Sequence, residues 1–255
     1  MPVSPNVDIG VIRHVKTCNE LLIECARWLR NARGDDAAAE AQRTLLLNLQ
    51  ACLGEAVFGM LVLLNHGADY AVLILERGTI EYYARASYYM KEPEHALWTV
   101  EVERLQVELD NEGTAGQQRS ALIRRIAQAR RKYAHLTPEA RLAAGKEPFH
   151  KVRILEMIRV GLGDEAAKRY GSASLALHGD LYTGRIVGTR GAAAANAAVL
   201  EAASAIVAFC NLMLSWLPRP PKGLVERVLG AEEETARLAK RYGSAYLISG
   251  VVIAD

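Results

Sequence analysis

The sequence predicts an all-α fold, a multi-helix bundle around a central apolar helix with a C-terminal helical appendage. Ala, Leu, Glu and Arg dominate the chain, and its apolar residues recur at helical spacing. Strand-like composition is confined to residues 246–253 near the end. Apolar residues make up 51% of the 255 residues, which is enough for a single large core.

Helical periodicity, caps and breakers predict the order of the elements. Asp35 or Asp36 suits the cap of the second helix, Pro93 suits the first turn of the fourth, and Thr137-Pro138-Glu139 begins another. The rigid segment 218–221 divides a bundle core at 1–217, with a charged helical hairpin inserted at about 93–135, from a C-terminal helix and tail at 218–255. The predicted helices lie at roughly 7–33, 36–65, 68–91, 94–111, 117–135, 148–159, 163–178, 190–217 and 223–243.

Composition limits the class of protein. A net charge of +2 does not by itself indicate nucleic acid or an anionic membrane. The N-terminus lacks the basic start and apolar run of a secretion signal, and polar residues interrupt both long apolar stretches, so we expect a cytoplasmic protein with reduced cysteines and no membrane span. The histidines do not pair with one another or with cysteines at metal-ligand spacing, so we expect no metal and no cofactor.

Two charge blocks adjoin in the middle of the chain. Residues 92–112 contain seven acidic residues and one arginine, whereas residues 119–153 contain ten basic and two acidic residues. One interpretation is an antiparallel hairpin whose acidic and basic helices face each other. The other is a basic surface at 119–153 that binds RNA. The first interpretation is favoured because it needs no partner.

A seven-residue segment occurs twice. Ala167-Lys-Arg-Tyr-Gly-Ser-Ala173 recurs as Ala239-Lys-Arg-Tyr-Gly-Ser-Ala245. Lys and Arg suit a last helical turn and Gly suits its end, so the repeat is consistent with a reused helix stop. Alternatively, the C-terminal tail mimics the internal segment and docks at an equivalent site, within the molecule or in a homo-oligomer.

Polar stripes on three helices suggest one buried cluster. Arg77, Glu81 and Arg85 follow one another at four-residue spacing on an otherwise apolar helix, which permits two ion pairs. Ser174 and His178 have the same spacing, and Glu201 heads a polar stripe on the Ala-rich helix. Because buried polar groups need partners, we expect these residues to meet, as a structural ion-pair ladder or as a site for a small anionic ligand.

These residues also carry a resemblance. The segment Leu73-Ile-Leu-Glu-Arg77-Gly-Thr-Ile-Glu81, with Tyr170-x-x-x-Ser174-x-x-x-His178-Gly179, resembles a large bacterial all-α family of unknown function with an R-x-x-x-E helix and a later S-x-x-x-H helix. The similarity would cover roughly residues 40–217. It implies that Arg77, Glu81, Ser174 and His178 come together, and it implies no established activity. Gly78 stands where the family commonly has Ser.

A second, weaker resemblance concerns HEPN-type ribonucleases, whose arginine and histidine in an R-x4–6-H pattern cleave RNA without a metal. Arg130-Arg-Lys-Tyr-Ala-His135 fits that spacing, although Arg131 replaces the usual polar residue. The leading expectation is a cytosolic binding or regulatory module with an internal polar cluster. The alternatives are a HEPN-like ribonuclease of a stress or phage-defence system, with Arg130, His135, Arg77 or His178 as catalytic candidates, and an oligomerisation module that uses the tail.

Overall fold

The computed structural model confirms the all-α, multi-helix fold and describes residues 8–66, 68–111, 116–164, 166–167, 170 and 181–242. Within these ranges the regular structure is helical throughout, without a strand. The predicted strand-like tail at 246–253 lies outside them. The helices are α1 (Ile9–Asn31), α2 (Ala37–Asn65), α3 (Asp69–Lys91), α4 (Pro93–Trp98), α5 (Arg104–Asp110), α6 (Gly116–Lys132), α7 (Pro138–Ala143), α8 (Ile154–Leu162), α9 (Leu181–Trp216) and α10 (Lys222–Tyr242).

Helix α9 is the apolar centre of the bundle. Its side chains from Ala195 onward pack against α1, α3 and α10, and Ile206, Phe209 and Met213 are completely buried. The helix begins at Leu181, whereas the sequence predicts a start near 190. The glycines at 184, 188 and 191 lower the local helix propensity, which explains why the pattern favours a later start.

Helix ends follow the predicted capping in three places. The Asp36 carboxylate accepts a hydrogen bond of 2.8 Å from the Ala39 amide, Pro93 is the first residue of α4, and Thr137 caps α7. The predicted helix at 94–111 is interrupted by a π-helical turn at Thr99–Glu103. The predicted helix at 148–159 is instead a 3₁₀ turn, Phe149–Lys151, followed by α8.

The C-terminal helix α10 packs against α1 and α9. Its apolar residues lie on one stripe, and Leu224, Val228, Ala231 and Leu238 join the same hydrophobic cluster as α9. Residues 222–242 are therefore packed into the core of the bundle. The predicted division at residue 218 as a boundary between folding units stays a prediction.

A second region lies beside the bundle. Helix α5 packs on α6 through Leu105, Leu122 and Ile126, so apolar contacts close the hairpin. The segment that follows α6 is joined to α3 and α4 by an aromatic cluster that includes Tyr88, Tyr133 and Phe149. We call residues 116–159 the basic lobe, because ten of the eleven Arg and Lys side chains in this range are exposed.

Two helices of the described ranges are long and apolar enough to cross a membrane by length and composition alone. They are Ala37–Asn65 and the portion Ala195–Trp216 of α9. The apolar window of the second is 89% buried within the bundle, as expected of a core helix, and that of the first is 33% buried. These features are weak evidence for a membrane span.

Candidate functional site

The predicted arginine–glutamate pair forms on α3 and gains a third member. Arg77 Nε donates hydrogen bonds of 2.9 Å to Glu81 Oε1 and of 2.9 Å to the hydroxyl oxygen of Tyr170. The Tyr170 hydroxyl in turn donates to the same Glu81 oxygen. The guanidinium carbon also lies 4.9 Å from the centre of the Tyr170 ring, within the range of a cation–π interaction. We call these three residues the Arg77 triad.

Helix α8 brings Tyr170 to this position. Gly161 lets α8 lie directly on α3, because a Cβ atom there would stand 2.8 Å from the carbonyl oxygen of Ala84. The Ser87 hydroxyl and the Lys91 ammonium both donate to the Gly161 carbonyl, each at 3.0 Å. Gly163, with a φ of +95°, ends α8, and the described residues Ala166, Ala167 and Tyr170 share an apolar cluster with Ile80 and Ala84 of α3.

The Arg77 triad is largely withdrawn from water. The side chains of Arg77 and Glu81 are 26% and 22% exposed, and Tyr170 is buried. Burial alone lowers the pKa of Arg77, but its hydrogen bonds to Tyr170 and Glu81 outweigh that effect and raise the pKa. Burial, reinforced by the hydrogen bond to Glu81, raises the pKa of Tyr170. The opposite charges of Arg77 and Glu81 compensate each other at this mostly covered position, as expected of an ion pair with a structural role.

The other members of the predicted cluster have different surroundings. Arg85 is exposed, and the expected second ion pair with Glu81 is not among the ion pairs of the described residues. Each four-residue step along a helix rotates the side chain about 40° beyond a full turn. From Arg77 to Arg85 the position therefore moves from the covered face of α3 to solvent. Glu201 is half-buried on α9. Ser174 and His178 lie outside the described residues, so their meeting with Arg77 stays a prediction.

The second copy of the repeat makes a related contact. The Tyr242 hydroxyl donates to the carboxylate of Asp8, the residue that caps α1, and Arg241 Nη2 lies 4.0 Å from the same carboxylate. The equivalent tyrosines, Tyr170 and Tyr242, therefore both hold a carboxylate on another helix. The repeat is visible in the sequence, but the contact that its tyrosine makes in both copies was not predicted.

The basic lobe presents its charges in a different way. Helix α6 buries Leu122, Ile126 and Ala129 along one stripe. Arg124 and Arg131 are seven residues apart and project from the opposite side, about 10 Å from each other along the helix. Both are exposed, and within the described ranges neither forms an ion pair or a side-chain hydrogen bond. We call Arg124 and Arg131 the outer row.

Other cations of the lobe lie against parts of the protein itself. Arg119 Nη1 donates to the Leu109 carbonyl at 3.0 Å, which ties α6 to the end of α5. Arg125 and Lys132 line a surface cavity of about 240 Å³ together with Glu101. An ion pair between α5 and α6 is not among those of the described residues, so the predicted pairing of these acidic and basic helices stays a prediction, and the outer row faces solvent.

The two residues of the ribonuclease pattern lie at the end of α6. Arg130 is in its last turn, and His135 is in the 3₁₀ turn Ala134–Leu136 that follows. Both side chains are exposed. A larger surface cavity of about 660 Å³ lies further along the lobe, and its lining includes His150, Lys151 and Arg153.

A buried histidine joins the bundle to the lobe. His95 is 2% exposed, its Nδ1 shares a hydrogen bond of 2.9 Å with the Tyr88 hydroxyl, and its ring stacks on Phe149 at 4.3 Å. The Arg141 guanidinium covers Phe149 at 3.6 Å from the ring centre. Burial, assisted by the charge of Arg141, lowers the pKa of His95 to about 4. Isolated aromatic residues in the sequence gave no indication of this stack.

The described residues contain no group of three or more His, Cys, Asp or Glu side chains placed to hold a metal ion. Compared with protein-family models, curated proteins and solved structures, the chain matches none of them. The resemblances to the bacterial all-α family and to HEPN-type ribonucleases therefore stay predictions. What the protein does must be argued from its own surfaces.

Proposed function

We propose that this protein is a cytosolic nucleic-acid-binding module that contacts RNA through the basic lobe. The outer row carries the proposal: Arg124 and Arg131 are exposed and have no charged partner among the described residues. Guanidinium groups bind phosphate oxygens in a bidentate manner, and binding releases the counterions of the nucleic acid. Further exposed cations, including Lys146, Lys151 and Arg153, extend the positive surface beyond α6.

The Arg77 triad supports this choice over an anion site in the bundle. Its guanidinium is already bonded to Glu81 and Tyr170, so an anionic ligand there would compete with an internal carboxylate. A phosphate at the outer row displaces only water and counterions. A ligand at Ser174 and His178, and self-association through the tail, are separate proposals that concern residues outside the described ranges.

The test is an RNA-binding titration by fluorescence anisotropy at several salt concentrations. The variant Arg124→Gln/Arg131→Gln is compared with Arg13→Gln/Arg27→Gln, which removes two exposed arginines from α1. Each lost phosphate contact reduces the slope of log K against log salt by about 0.7–0.9, so the outer-row variant should lower the slope by about 1.4–1.8. The α1 variant should bind like the wild type.

Two results would refute the proposal. Wild-type protein that does not bind RNA at low salt removes it outright. Equal loss of binding in both variants would reduce the effect to overall charge, because the two variants carry the same net charge.

A metal-independent ribonuclease is the second candidate, since Arg130 and His135 are both exposed at the same end of α6. Purified protein is incubated with total RNA and a chelator, beside His135→Ala and His178→Ala variants. Cleavage that His135→Ala abolishes would support the catalytic role of this histidine. Absence of cleavage, or equal cleavage by all three proteins, would leave binding without catalysis.

A further inference from the structure

The basic lobe has cations at its surface and buries its large aromatic rings. Its described tyrosine and phenylalanine, Tyr133 and Phe149, are 6% and 3% exposed, and Trp98 beside it is 5% exposed. Phe149 is covered on one face by His95 and on the other by Arg141, so neither face is available to a base. Nucleobases would therefore find no exposed tyrosine, phenylalanine or tryptophan ring on the described part of this surface, and only the small imidazoles of His135 and His150 are exposed there.

This absence matters because single strands and duplexes are bound by different means. Proteins that bind single-stranded nucleic acid combine a positive groove with aromatic rings on which the bases stack. Duplexes hide their bases and present two fixed lines of phosphates, which proteins recognise by shape and charge. A surface of cations without an exposed tyrosine, phenylalanine or tryptophan ring is better suited to the second kind of recognition.

The geometry of α6 agrees with a rigid partner. The helix has 17 residues and is about 26 Å long, and its outer row is held on a backbone that packs firmly through Leu122 and Ile126. Arginines on a rigid helix can contact the fixed phosphates of a duplex without a loss of conformational entropy from ordering either backbone. A flexible single strand would have to be ordered along α6, and stacking on large aromatic rings would not be there to compensate for that ordering.

We infer that the basic lobe recognises the phosphate backbone of a double-stranded nucleic acid, independently of sequence. The inference rests on the proposed nucleic-acid-binding function and specifies the class of partner. Duplex RNA and duplex DNA share the chemistry concerned, so the experiment includes both.

The experiment compares four labelled probes with the full chain under one low-salt condition. They are two RNA duplexes of unrelated sequence, each of about 20 base pairs and so longer than the roughly 16 pairs that a small double-strand-binding domain covers. The third probe is a DNA duplex of the same length. The fourth is an unstructured pyrimidine RNA strand that carries the same number of phosphates as a duplex. Each is also titrated with Arg124→Gln/Arg131→Gln and with the α1 control variant.

We expect the two RNA duplexes to bind equally and about tenfold or more tightly than the single strand. The outer-row variant should lose most of that difference, and the α1 variant should keep it. Binding of the DNA duplex equal to that of RNA indicates a reader of backbone charge, and a preference for RNA indicates a reader of A-form shape, so both support the inference. A single strand that binds as tightly as the duplexes overturns the inference and leaves the proposed function intact. No binding to any probe removes both.

Discussion

Helices α3 and α6 both carry charges that the sequence marks as exceptional, and the fold treats them in opposite ways. On α3, Arg77 is surrounded by neighbouring elements and is bonded to Glu81 and Tyr170. On α6, one narrow stripe is covered, and Arg124 and Arg131 face solvent. The difference lies in the number of neighbours: α3 is packed by α2, α8 and α9, whereas α6 is packed chiefly by α5 and the turn before it.

The comparison of α3 with α6 shows that the role of a charged stripe depends on how many neighbouring helices cover it. A charge on a helix that other helices cover must be compensated inside the protein, because leaving it unpaired costs several kcal/mol. A charge on a helix with one covered stripe can remain in water at little cost, and it is then available to a partner. The same residue type therefore holds the fold in one region and offers a binding surface in the other.

The largest expected effect concerns the Arg77 triad. Glu81→Ala leaves Arg77 without its carboxylate in a mostly covered position, and we expect it to lower the free energy of unfolding by about 2–3 kcal/mol. Arg131→Ala, at an exposed position, should change it by no more than about 0.5 kcal/mol. Urea denaturation measures both.

A double replacement provides the control for that result. Arg77→Met/Glu81→Leu removes both charges together, so it should be less destabilising than Glu81→Ala alone. Equal stability of Glu81→Ala and the wild type would show that the triad contributes nothing to the fold, and the contrast between α3 and α6 would disappear.

The next largest effect concerns His95, which connects the bundle to the basic lobe. The pKa of His95 is about 4 in the folded protein, whereas its ordinary value is about 6.5. Between these two pH values the unfolded chain therefore binds a proton at His95 and the folded protein does not. Stability is therefore complete above pH 6.5 and decreases as the pH falls toward 4. Between pH 7 and pH 5 we expect His95 to account for a loss of about 2 kcal/mol.

Denaturation series at several pH values test this expectation. His95→Gln should remove most of the pH dependence in that range, although it lowers stability at pH 7. His135→Gln replaces an exposed histidine and should retain the pH dependence of the wild type. An unchanged pH profile in His95→Gln would mean that His95 is not held neutral in the aromatic stack.

The smallest effect separates the two copies of the repeat. Tyr170→Phe removes a buried hydroxyl that bonds Arg77 and Glu81, and we expect a loss of about 1 kcal/mol. Tyr242→Phe removes the hydroxyl at Asp8, where solvent has better access, so the loss should be smaller. A larger loss of stability for Tyr242→Phe would mean that the C-terminal copy of the repeat stabilises the fold more than the internal copy does.

Local chemistry explains which parts of the fold the sequence predicted. The caps at Asp36 and Thr137 and the start at Pro93 depend on a few neighbouring residues, and each is found where predicted. The start of α9 was placed too late, because the glycines at 184, 188 and 191 lower the local helix propensity while the helix in fact begins at Leu181.

The candidate sites show the same limit. The pairing of Arg77 with Glu81 follows from their four-residue spacing, and it was predicted. Tyr170 lies 93 residues from Arg77, and it reaches the pair only because Gly161 lets α8 approach α3. The sequence also favoured internal pairing of the whole basic block, and it could not reveal that apolar contacts cover one side of α6 while Arg124 and Arg131 are exposed.

The central claim is that the arginines of α6 bind a partner while the arginine of α3 binds its own protein. One salt titration of RNA binding tests it, with Arg77→Gln and Arg124→Gln/Arg131→Gln compared under conditions in which both are folded. We predict that Arg77→Gln keeps the wild-type slope of log K against log salt, and that the outer-row variant reduces it by about 1.4–1.8. A reduced slope for Arg77→Gln together with a wild-type slope for the outer-row variant would contradict the account.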